Sequence, residues 1–447
     1  MLTAEEKTIA KECLRMALDA GAQKARVTLS KSVMDLVSTL NGEVDKITGC
    51  YDRSITISIF ADGRYGSFST NKLSRTSLRD FIAGAVETVK MLAPDPCRVL
   101  PSPERKVKDA LTGDELGLRD PAYDGMSAEK RRETALACAL GSREGEGWKL
   151  ISEEGEYSDS QYWAYLVDTE GLEALHNETS FEYWTEATIE DDKGDKYTGN
   201  WWEAAPLLKD FHPGECGANA LRQAVAQIGP KPLESGKYNM VIDRDVASKV
   251  ISPIIASLNA NSIQQGNSFL GGSLGKQVFP QGMNLVDTPR IPGEAGSRCF
   301  DSEGVATSDR PIIENGVVKN YFVNSYMAAK TGLEPTLEDA IRPALQPWHP
   351  WTGNPVSKNE IMRQCGSGIL VTEFNGGNSN PATGDFSYGI QGFFFRDGKP
   401  VHPVSEVLVT GNFKSLWAGL LAAGDDARRC MVKLVPTLAF KDVDFSG

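Results

Sequence analysis

Four histidines are the residues of this 447-residue chain best suited to hold a catalytic metal ion. They are His176, His212, His349 and His402. A helical zinc-protease motif needs two imidazoles one turn apart on a helix face, with a glutamate nearby that activates water. No two of these histidines are one helical turn apart, so a single helix cannot supply that arrangement. Convergence of distant histidines in space stays open, and a hydrogen-bonded core or surface histidine is the alternative at each position.

A serine between glycines is the second candidate for chemistry. Ser273 lies in the sequence Gly-Gly-Ser-Leu-Gly at residues 271–275, which fits the pattern of a hydrolase nucleophile. That pattern exposes a serine only where a strand turns sharply into a helix. No good helix pattern follows Gly275, so a glycine-rich loop is the preferred interpretation. A nucleophilic Ser273 remains the alternative.

Carboxylates and hydroxyls in predicted turns form the third set of candidates. They are Asp301, Glu303, Thr372, Asp385 and Ser387. Paired acids perform general acid–base catalysis when their surroundings move their pKa values apart. Acidic side chains also stabilise turns by accepting hydrogen bonds from backbone N–H groups, without any role in chemistry. We favour the stabilising role for the acids and keep the catalytic one open.

The composition is that of a globular chain, with 40% hydrophobic and 24% charged residues. The formal net charge of -13 disfavours contact with nucleic-acid phosphates. No apolar run approaches the roughly 18–20 residues of a membrane span, and the acidic amphipathic start lacks the features of a signal peptide. The eight cysteines form no CxxC pair, so a disulfide framework is not expected. We therefore expect a cytoplasmic protein that binds neither nucleic acid nor membrane.

Helix caps and hairpin turns are well signalled in the sequence. Thr3 with Glu6 predicts a capping box at the start of the first helix, and Ser74 and Ser127 are predicted to cap two more. Asn-Gly or Asp-Gly between alternating apolar runs predicts a tight hairpin. Such dipeptides occur at Asn41-Gly42, Asp62-Gly63, Asn315-Gly316 and Asp397-Gly398.

The length of the chain exceeds one ordinary hydrophobic core and predicts two domains. The best linker candidate is the Gly-Pro-Lys-Pro stretch at residues 229–232. We predict an α+β fold: residues 1–228 form an N-terminal α/β domain with a mostly antiparallel sheet, and residues 229–447 form a β-rich C-terminal domain. A helix is predicted at residues 246–260 of the second domain, although it contains Pro253.

Several stretches, taken in their order along the chain, resemble the TldD/PmbA metallopeptidase family. They are residues 41–74, 236–242, 300–332 and 368–412. None of them is a catalytic signature, but their order and spacing are specific and cover most of the chain. An older name describes this family as modulators of DNA gyrase.

The resemblance implies that the family has two paralogous subunits. The TldD-like subunit carries a helical HExxxH zinc site and is the metallopeptidase. The PmbA-like subunit, also called TldE, shares the fold and lacks that motif. Residues 246–262, where the motif would lie, contain neither His nor Glu, so this chain resembles the PmbA/TldE type. A heterodimer with a TldD-like, zinc-bearing chain that performs proteolysis of unfolded or flexible peptides is then implied.

On this resemblance we expect no catalytic residue, metal ligand or cofactor in this chain, and zinc in the TldD-like partner. The five turn residues, Asp301, Glu303, Thr372, Asp385 and Ser387, become candidates for lining the closed chamber of the complex. A homodimer is plausible when the partner is absent, because paralogous subunits share an interface-forming surface. Two alternatives remain: a non-enzymatic regulator that binds DNA gyrase or another protein, and an independent hydrolase using Ser273.

Overall fold

The structure is a computed structural model that describes residues 2–138, 140, 143–351 and 356–447. The chain forms two compact units. The first comprises Met1–Val225, Arg290–Thr307 and Ser325–Leu333, and the second comprises Ala226–Pro289, Ser308–Asn324 and Glu334–Gly447. The domain boundary expected at residues 228 and 229 stays a prediction. The sequence patterns did not predict that Arg290–Thr307 and Ser325–Leu333 belong to the first unit.

The first unit is built on one large antiparallel sheet. Its elements up to the second unit are α1 (Ala4–Asp19), β1 (Lys24–Leu40), β2 (Glu43–Ala61), β3 (Arg64–Thr70), α2 (Arg75–Met91), α3 (Ala128–Ala137), β4 (Glu144–Gly145), β5 (Trp148–Asp168), β6 (Glu173–Asp191), β7 (Lys196–Ala205) and α4 (Cys216–Ala226). The strand order is β3-β2-β1-β5-β6-β7, with β4 paired to β5. Apolar residues of α1 and α2 pack against β1 and β2 in one core cluster. The antiparallel sheet expected from the sequence is confirmed.

The predicted helix caps are present. The Thr3 hydroxyl accepts a hydrogen bond from the Glu6 N–H, and the Glu6 carboxylate accepts one from the Thr3 N–H, which completes the capping box. Ser74 and Ser127 cap α2 and α3 through their side-chain oxygens. Local polar residues therefore fix where these three helices begin. None of the described helices has the length and apolar character of a membrane span.

The four predicted hairpin turns are also confirmed. Both central residues of each turn have positive φ, for example 52° at Asn41 and 83° at Gly42. A type I′ turn requires this conformation at both positions, and asparagine, aspartate and glycine tolerate it best. Each turn therefore sets the register of the two strands that it joins.

The second unit is rich in short strands. The remaining elements of the chain are β8 (Gly236–Ile242), α5 (Ser248–Ser257), α6 (Ala260–Gln264), β9 (Leu285–Asp287), β10 (Arg310–Glu314), β11 (Val317–Val318), α7 (Ser325–Thr331, in the first unit), β12 (Pro343–Leu345), α8 (Lys358–Cys365), β13 (Ser367–Phe374), β14 (Asn378–Ser379), β15 (Asp385–Arg396), β16 (Lys399–Asn412), α9 (Phe413–Ala418), β17 (Leu420–Ala423) and β18 (Leu438–Ser446). This content confirms the expected α+β fold with a β-rich C-terminal part.

Five of these strands close into a ring. The pairs β8–β18, β18–β16, β16–β15 and β15–β13 are antiparallel, and the parallel pair β13–β8 completes the circuit. Strand β14 pairs with β15, and β17 pairs with β18. A separate four-stranded sheet has the order β11-β10-β9-β12. The ring holds β13 and β15 side by side, and both contribute residues to the cavity described below.

Helix α5 is anchored through one apolar face. Val250, Ile251 and Ile254 are buried on that face. The indole N–H of Trp417, a fully buried residue of α9, donates a hydrogen bond of 3.3 Å to the Val250 carbonyl. The helix predicted at residues 246–260 therefore exists, but it ends at Ser257 and continues after a break as α6. Pro253 lies inside α5.

The closing pair of the ring gives a test of the fold. A Cβ at Gly368 of β13 would meet the backbone oxygen of Asn239 on β8. Because this backbone is held in the parallel ladder, we expect Gly368→Ala to lower the free energy of unfolding by about 1–3 kcal/mol. Gly236→Ala on β8 is the matched control, since its Cβ would meet only a ring carbon of Tyr238 at 3.8 Å. Urea unfolding compares the two variants, and equal losses would contradict the close approach.

Candidate functional site

A cavity of about 750 Å³ lies in the second unit beside α5, β13 and β15. Its volume is typical of small-ligand sites. Its wall combines hydroxyls and one ammonium group from α5, a carboxyl from β13 and several aromatic rings. The residues on which the site depends are Ser248, Lys249, Ser252, Phe269, Glu373, Phe374, Tyr388 and Phe413. Mixed polar and aromatic walls of this kind make it the candidate functional site.

The polar face of α5 borders the cavity. Ser248 and Ser252 are one helical turn apart, and both line the cavity together with Lys249. The apolar residues of α5 point to the core instead, so the helix is amphipathic with the cavity on its polar side. Pro253 has no N–H and cannot donate the usual helical hydrogen bond to the Lys249 carbonyl. One helical hydrogen bond is therefore missing in the part of α5 that lines the cavity.

Lys249 supplies a cation to the cavity. Its Nζ lies 4.7 Å from the centroid of the Tyr388 ring, a cation–π arrangement. Within the described ranges no carboxylate forms an ion pair with Lys249. The acids at the start of α5 have other partners: Asp243 pairs with Lys358 at 2.6 Å, and Asp245 accepts from Arg428 at 3.1 Å. The ammonium group therefore has an aromatic neighbour but no counter-charge.

Glu373 supplies a carboxyl of unusual character to the same cavity. Burial raises the pKa of the Glu373 carboxyl above its ordinary value. In the described part of the chain no group donates a hydrogen bond to this carboxyl. Burial, followed by the charge of Asp243, also raises the pKa of Asp245 at the cavity wall. Perturbed acids next to a cation in a cavity are typical of functional sites.

Aromatic rings form the apolar wall. Phe269 stacks on Phe413 with 5.7 Å between centroids, and Phe374 meets Tyr388 edge-on at 5.6 Å. Phe386 lies behind them, stacked on Tyr388 at 5.5 Å. These pairs hold one another in place and leave ring surface toward the cavity. The wall can therefore bind an apolar group beside the charged ones.

The donors of this cavity do not fit zinc. Structural and catalytic zinc sites use imidazole, thiolate and carboxylate ligands. At the α5 wall the chain offers serine hydroxyls and an ammonium group instead of imidazoles one turn apart. Across the described residues, no three or more His, Cys, Asp or Glu side chains are grouped so that they could hold a metal ion.

The histidines have local roles. His176 Nε2 lies 3.0 Å from a carboxylate oxygen of Glu178. His349 Nδ1 lies 2.9 Å from the Trp351 carbonyl oxygen, and His402 Nδ1 lies 3.1 Å from the Pro403 carbonyl oxygen. His349 and His402 match the interpretation of locally bonded histidines, whereas His176 Nε2 lies within ion-pair distance of Glu178 without meeting the geometry of a hydrogen bond.

Asp301 and Glu303 stabilise local structure in the first unit. One oxygen of buried Asp301 accepts hydrogen bonds of 2.9 Å from the N–H groups of Glu303 and Val305. One oxygen of Glu303 accepts from the N–H and the hydroxyl of Ser325, at 2.8 and 2.9 Å, where α7 begins. Both acids therefore have the turn-stabilising role that the sequence favoured. A further role in lining a chamber stays a prediction.

Thr372, Asp385 and Ser387 lie near the cavity but do not border it. Thr372 and Ser387 directly precede the cavity residues Glu373 and Tyr388. Asp385 is exposed, and hydrogen bonds from Asn412 and then Thr383 lower its pKa. Whether the three line a chamber in a complex stays a prediction.

Ser273 lies in a loop, as expected. Its hydroxyl donates to the Leu270 carbonyl at 2.6 Å, and its N–H donates to the Tyr321 hydroxyl at 2.7 Å. Residues 270–280, all of which the structure describes, contain turns and one isolated bridge rather than a strand followed by a helix. The setting of a hydrolase nucleophile is therefore missing at Ser273.

Comparison with known proteins identifies the class of fold. Residues 235–447 match the family model of the PmbA/TldA metallopeptidase C-terminal domain. Metalloprotease PmbA of Escherichia coli O157:H7 is 26% identical over 426 residues, which cover 94% of this chain and 92% of that protein. The structure of a candidate modulator of DNA gyrase from Bacteroides thetaiotaomicron is 35% identical, with a TM-score of 0.94 and 100% of both chains covered.

TldE from Thermococcus kodakarensis has the same fold. The TM-score is 0.83 at 16% identity, with 98% of this chain and 100% of that chain covered. The chain belongs to the PmbA/TldD family, and the resemblance seen in the sequence is confirmed.

The pKa of Glu373 leads to a prediction about stability. Because its pKa is raised in the folded state, the folded chain holds this proton more tightly than the unfolded chain does. Stability should therefore fall as pH rises from the ordinary carboxyl pKa through the raised one, and stay reduced above it. We expect Glu373→Gln to raise Tm relative to the wild type at pH 7, with the difference disappearing below pH of about 4.

Glu360, in the same unit, is a control because its pKa is shifted in the opposite direction. A hydrogen bond from Arg363 lowers the pKa of Glu360 to about 2. Its ionised form is therefore favoured by folding, and Glu360→Gln should not raise Tm at pH 7. Thermal unfolding at a series of pH values compares the variants. A Glu373→Gln variant with the wild-type Tm at every pH would refute the burial effect.

The turn role of Asp301 gives a second prediction. Asp301→Ala leaves two N–H groups in a buried turn without their acceptor, so we expect a loss of about 1–3 kcal/mol in the free energy of unfolding. Asp114→Ala, at an exposed position of the same unit, should change it by no more than about 0.5 kcal/mol. Denaturant titration measures both. Similar values for the two variants would exclude the turn role.

Proposed function

We propose that this chain is the PmbA/TldE-type subunit of a metallopeptidase complex, and that it carries no zinc itself. A TldD-like chain would hold the zinc and hydrolyse unfolded or flexible peptides. The observation that supports the proposal is the α5 wall of the cavity, which is lined by Ser248, Lys249 and Ser252 and, among the described residues, by no histidine. Membership of the PmbA/TldD family supports it.

The contribution of this chain would be structural and substrate-directed. The closed ring of strands would form part of the wall of the chamber. Strand β14 is the last in the order of its sheet and consists of Asn378 and Ser379 only. An extended peptide can add to such an edge through main-chain hydrogen bonds. In this proposal the chain holds the peptide, and the partner performs the hydrolysis.

The proposal also covers assembly. The working form would be a cytoplasmic heterodimer with the TldD-like chain, and a homodimer would form when that chain is absent. Binding to DNA gyrase is the competing function, because the similar Bacteroides protein carries the name of a candidate gyrase modulator. If gyrase binding is the function, this chain should show no peptidase activity, either alone or mixed with a TldD-like chain.

Purified components test the proposal. We expect the isolated chain to bind less than stoichiometric zinc and to leave a flexible peptide uncut. Mixing with a TldD-like chain should give cleavage that a chelator abolishes and added zinc restores. Metal analysis and peptide mass spectrometry provide the readouts. Ser273→Ala should leave the activity of the mixture unchanged, because its hydroxyl is bonded within the loop.

Two results would overturn the proposal. The first is cleavage by the isolated chain that resists chelator and is lost in Ser273→Ala, which would identify an independent hydrolase. The second is co-purification with gyrase, without a TldD-like chain and without activity in the mixture. That result would identify a regulator.

A further inference from the structure

The cavity beside α5 contains two opposite, unpartnered charges and an aromatic wall. We propose that it binds the free α-carboxylate of an amino-acid unit with an apolar side chain, as at the carboxyl terminus of a peptide. All the residues that form the cavity belong to the second unit of this one chain. The proposal goes beyond the role as a subunit, because binding here needs no partner chain and no metal.

Lys249 provides the place for the carboxylate. Its ammonium group rests over the Tyr388 ring and, within the described residues, has no anionic partner. Asp243 and Asp245 are occupied by Lys358 and Arg428, so neither neutralises it. A carboxylate in the cavity would form a charge-assisted hydrogen bond with this ammonium group.

The charge of the cavity selects a singly charged anion. Lys249 is accompanied at the wall by the acids Asp245 and Glu373. Asp245 is paired with Arg428, whereas Glu373 has no cationic partner among the described residues, so Glu373 repels a doubly charged group such as phosphate more strongly than it repels a carboxylate. The ligand therefore carries one negative charge at the lysine and no further anionic group.

Glu373 provides the place for the nitrogen of the same unit. Its carboxyl is half-buried, and among the described residues it receives no hydrogen bond. A carboxylate accepts strong hydrogen bonds from N–H donors, and a ligand in the cavity can supply such a donor. The backbone N–H of a terminal peptide residue, or the ammonium group of a free amino acid, is such a donor. Lys249 and Glu373 together therefore match the two polar groups that flank one α-carbon.

The aromatic wall provides the place for the side chain. Phe269, Phe374, Tyr388 and Phe413 all border the cavity, with Pro253 and Ala256 of α5 opposite in the lining. Burial of an apolar side chain against these rings stabilises binding by the hydrophobic effect. A phenylalanine or leucine at the end of the ligand is therefore preferred over a charged residue.

Calorimetric titration of the full chain tests the proposal with defined probes. These are a penta-alanyl-phenylalanine peptide with a free carboxyl terminus, the same peptide as its C-terminal amide, and free phenylalanine. We expect the amide to bind at least about tenfold more weakly than the acid, because it cannot pair with Lys249. Free phenylalanine distinguishes a site for free amino acids from a site for the carboxyl termini of peptides. If it binds as tightly as the peptide acid, the site is assigned to free amino acids. If it binds more weakly, the site is assigned to peptide termini.

Variants locate the binding. Lys249→Gln should weaken binding of the peptide acid about tenfold and leave binding of the amide unchanged. Glu373→Gln should weaken the binding of both the peptide acid and the peptide amide, because the side chain that accepts the hydrogen bond from the ligand loses its negative charge. Lys399→Gln, at the exposed first residue of β16, is the matched control and should bind like the wild type. Tm values confirm that each variant is folded.

Three outcomes would overturn this inference: equal affinity for acid and amide, undiminished binding by Lys249→Gln, or no heat of binding with any probe at millimolar concentration. The peptidase assay of the mixed subunits is a separate measurement. A failure of one proposal therefore does not imply a failure of the other.

Discussion

Closure of the five-stranded ring is the constraint on which the candidate site depends. The parallel pair β13–β8 joins the two ends of an otherwise antiparallel series of strands. Within the ring, the antiparallel pair β13–β15 places Glu373 and Tyr388 on the same cavity. The close approach requires a residue without a Cβ at Gly368. The ring that brings the cavity residues together therefore also depends on a small backbone requirement at Gly368.

The anchoring of α5 completes the arrangement. The indole of Trp417 bonds to the Val250 carbonyl and holds the apolar face of the helix against the core. The polar face is then turned to the cavity, whatever residues it carries. Different side chains on the polar face of this helix could therefore serve different chemical functions while the fold stays the same. In this chain the face carries hydroxyls and a cation, which suit recognition of an anion better than coordination of a metal.

Local signals in the sequence predicted local structure well. The Thr3–Glu6 cap and the turn at Asn41-Gly42 depend on hydrogen bonds and φ values within a few residues, and both are present. The site needed information that is not local. Thr372 and Ser387 directly precede the cavity residues Glu373 and Tyr388, and which face of β15 borders the cavity depends on its pairing with β13, which is not a local property of the sequence. The alternation Phe386-Tyr388-Ile390, buried at every second residue, was the available signal for that face.

The division of the chain into units has a consequence for how it is made. Phe300 and Cys299 lie in a hydrophobic cluster with Leu118 and Leu172 of the first unit, yet they are synthesised only after the whole of the second unit's first segment, Ala226–Pro289. The first unit therefore cannot complete its core while only its amino-terminal part has left the ribosome. It must wait, with apolar surface uncovered, until the return segments Arg290–Thr307 and Ser325–Leu333 are synthesised. The first unit can therefore complete its folding only after part of the second unit has been synthesised. An amino-terminal fragment that ends at the linker would lack part of its own hydrophobic core.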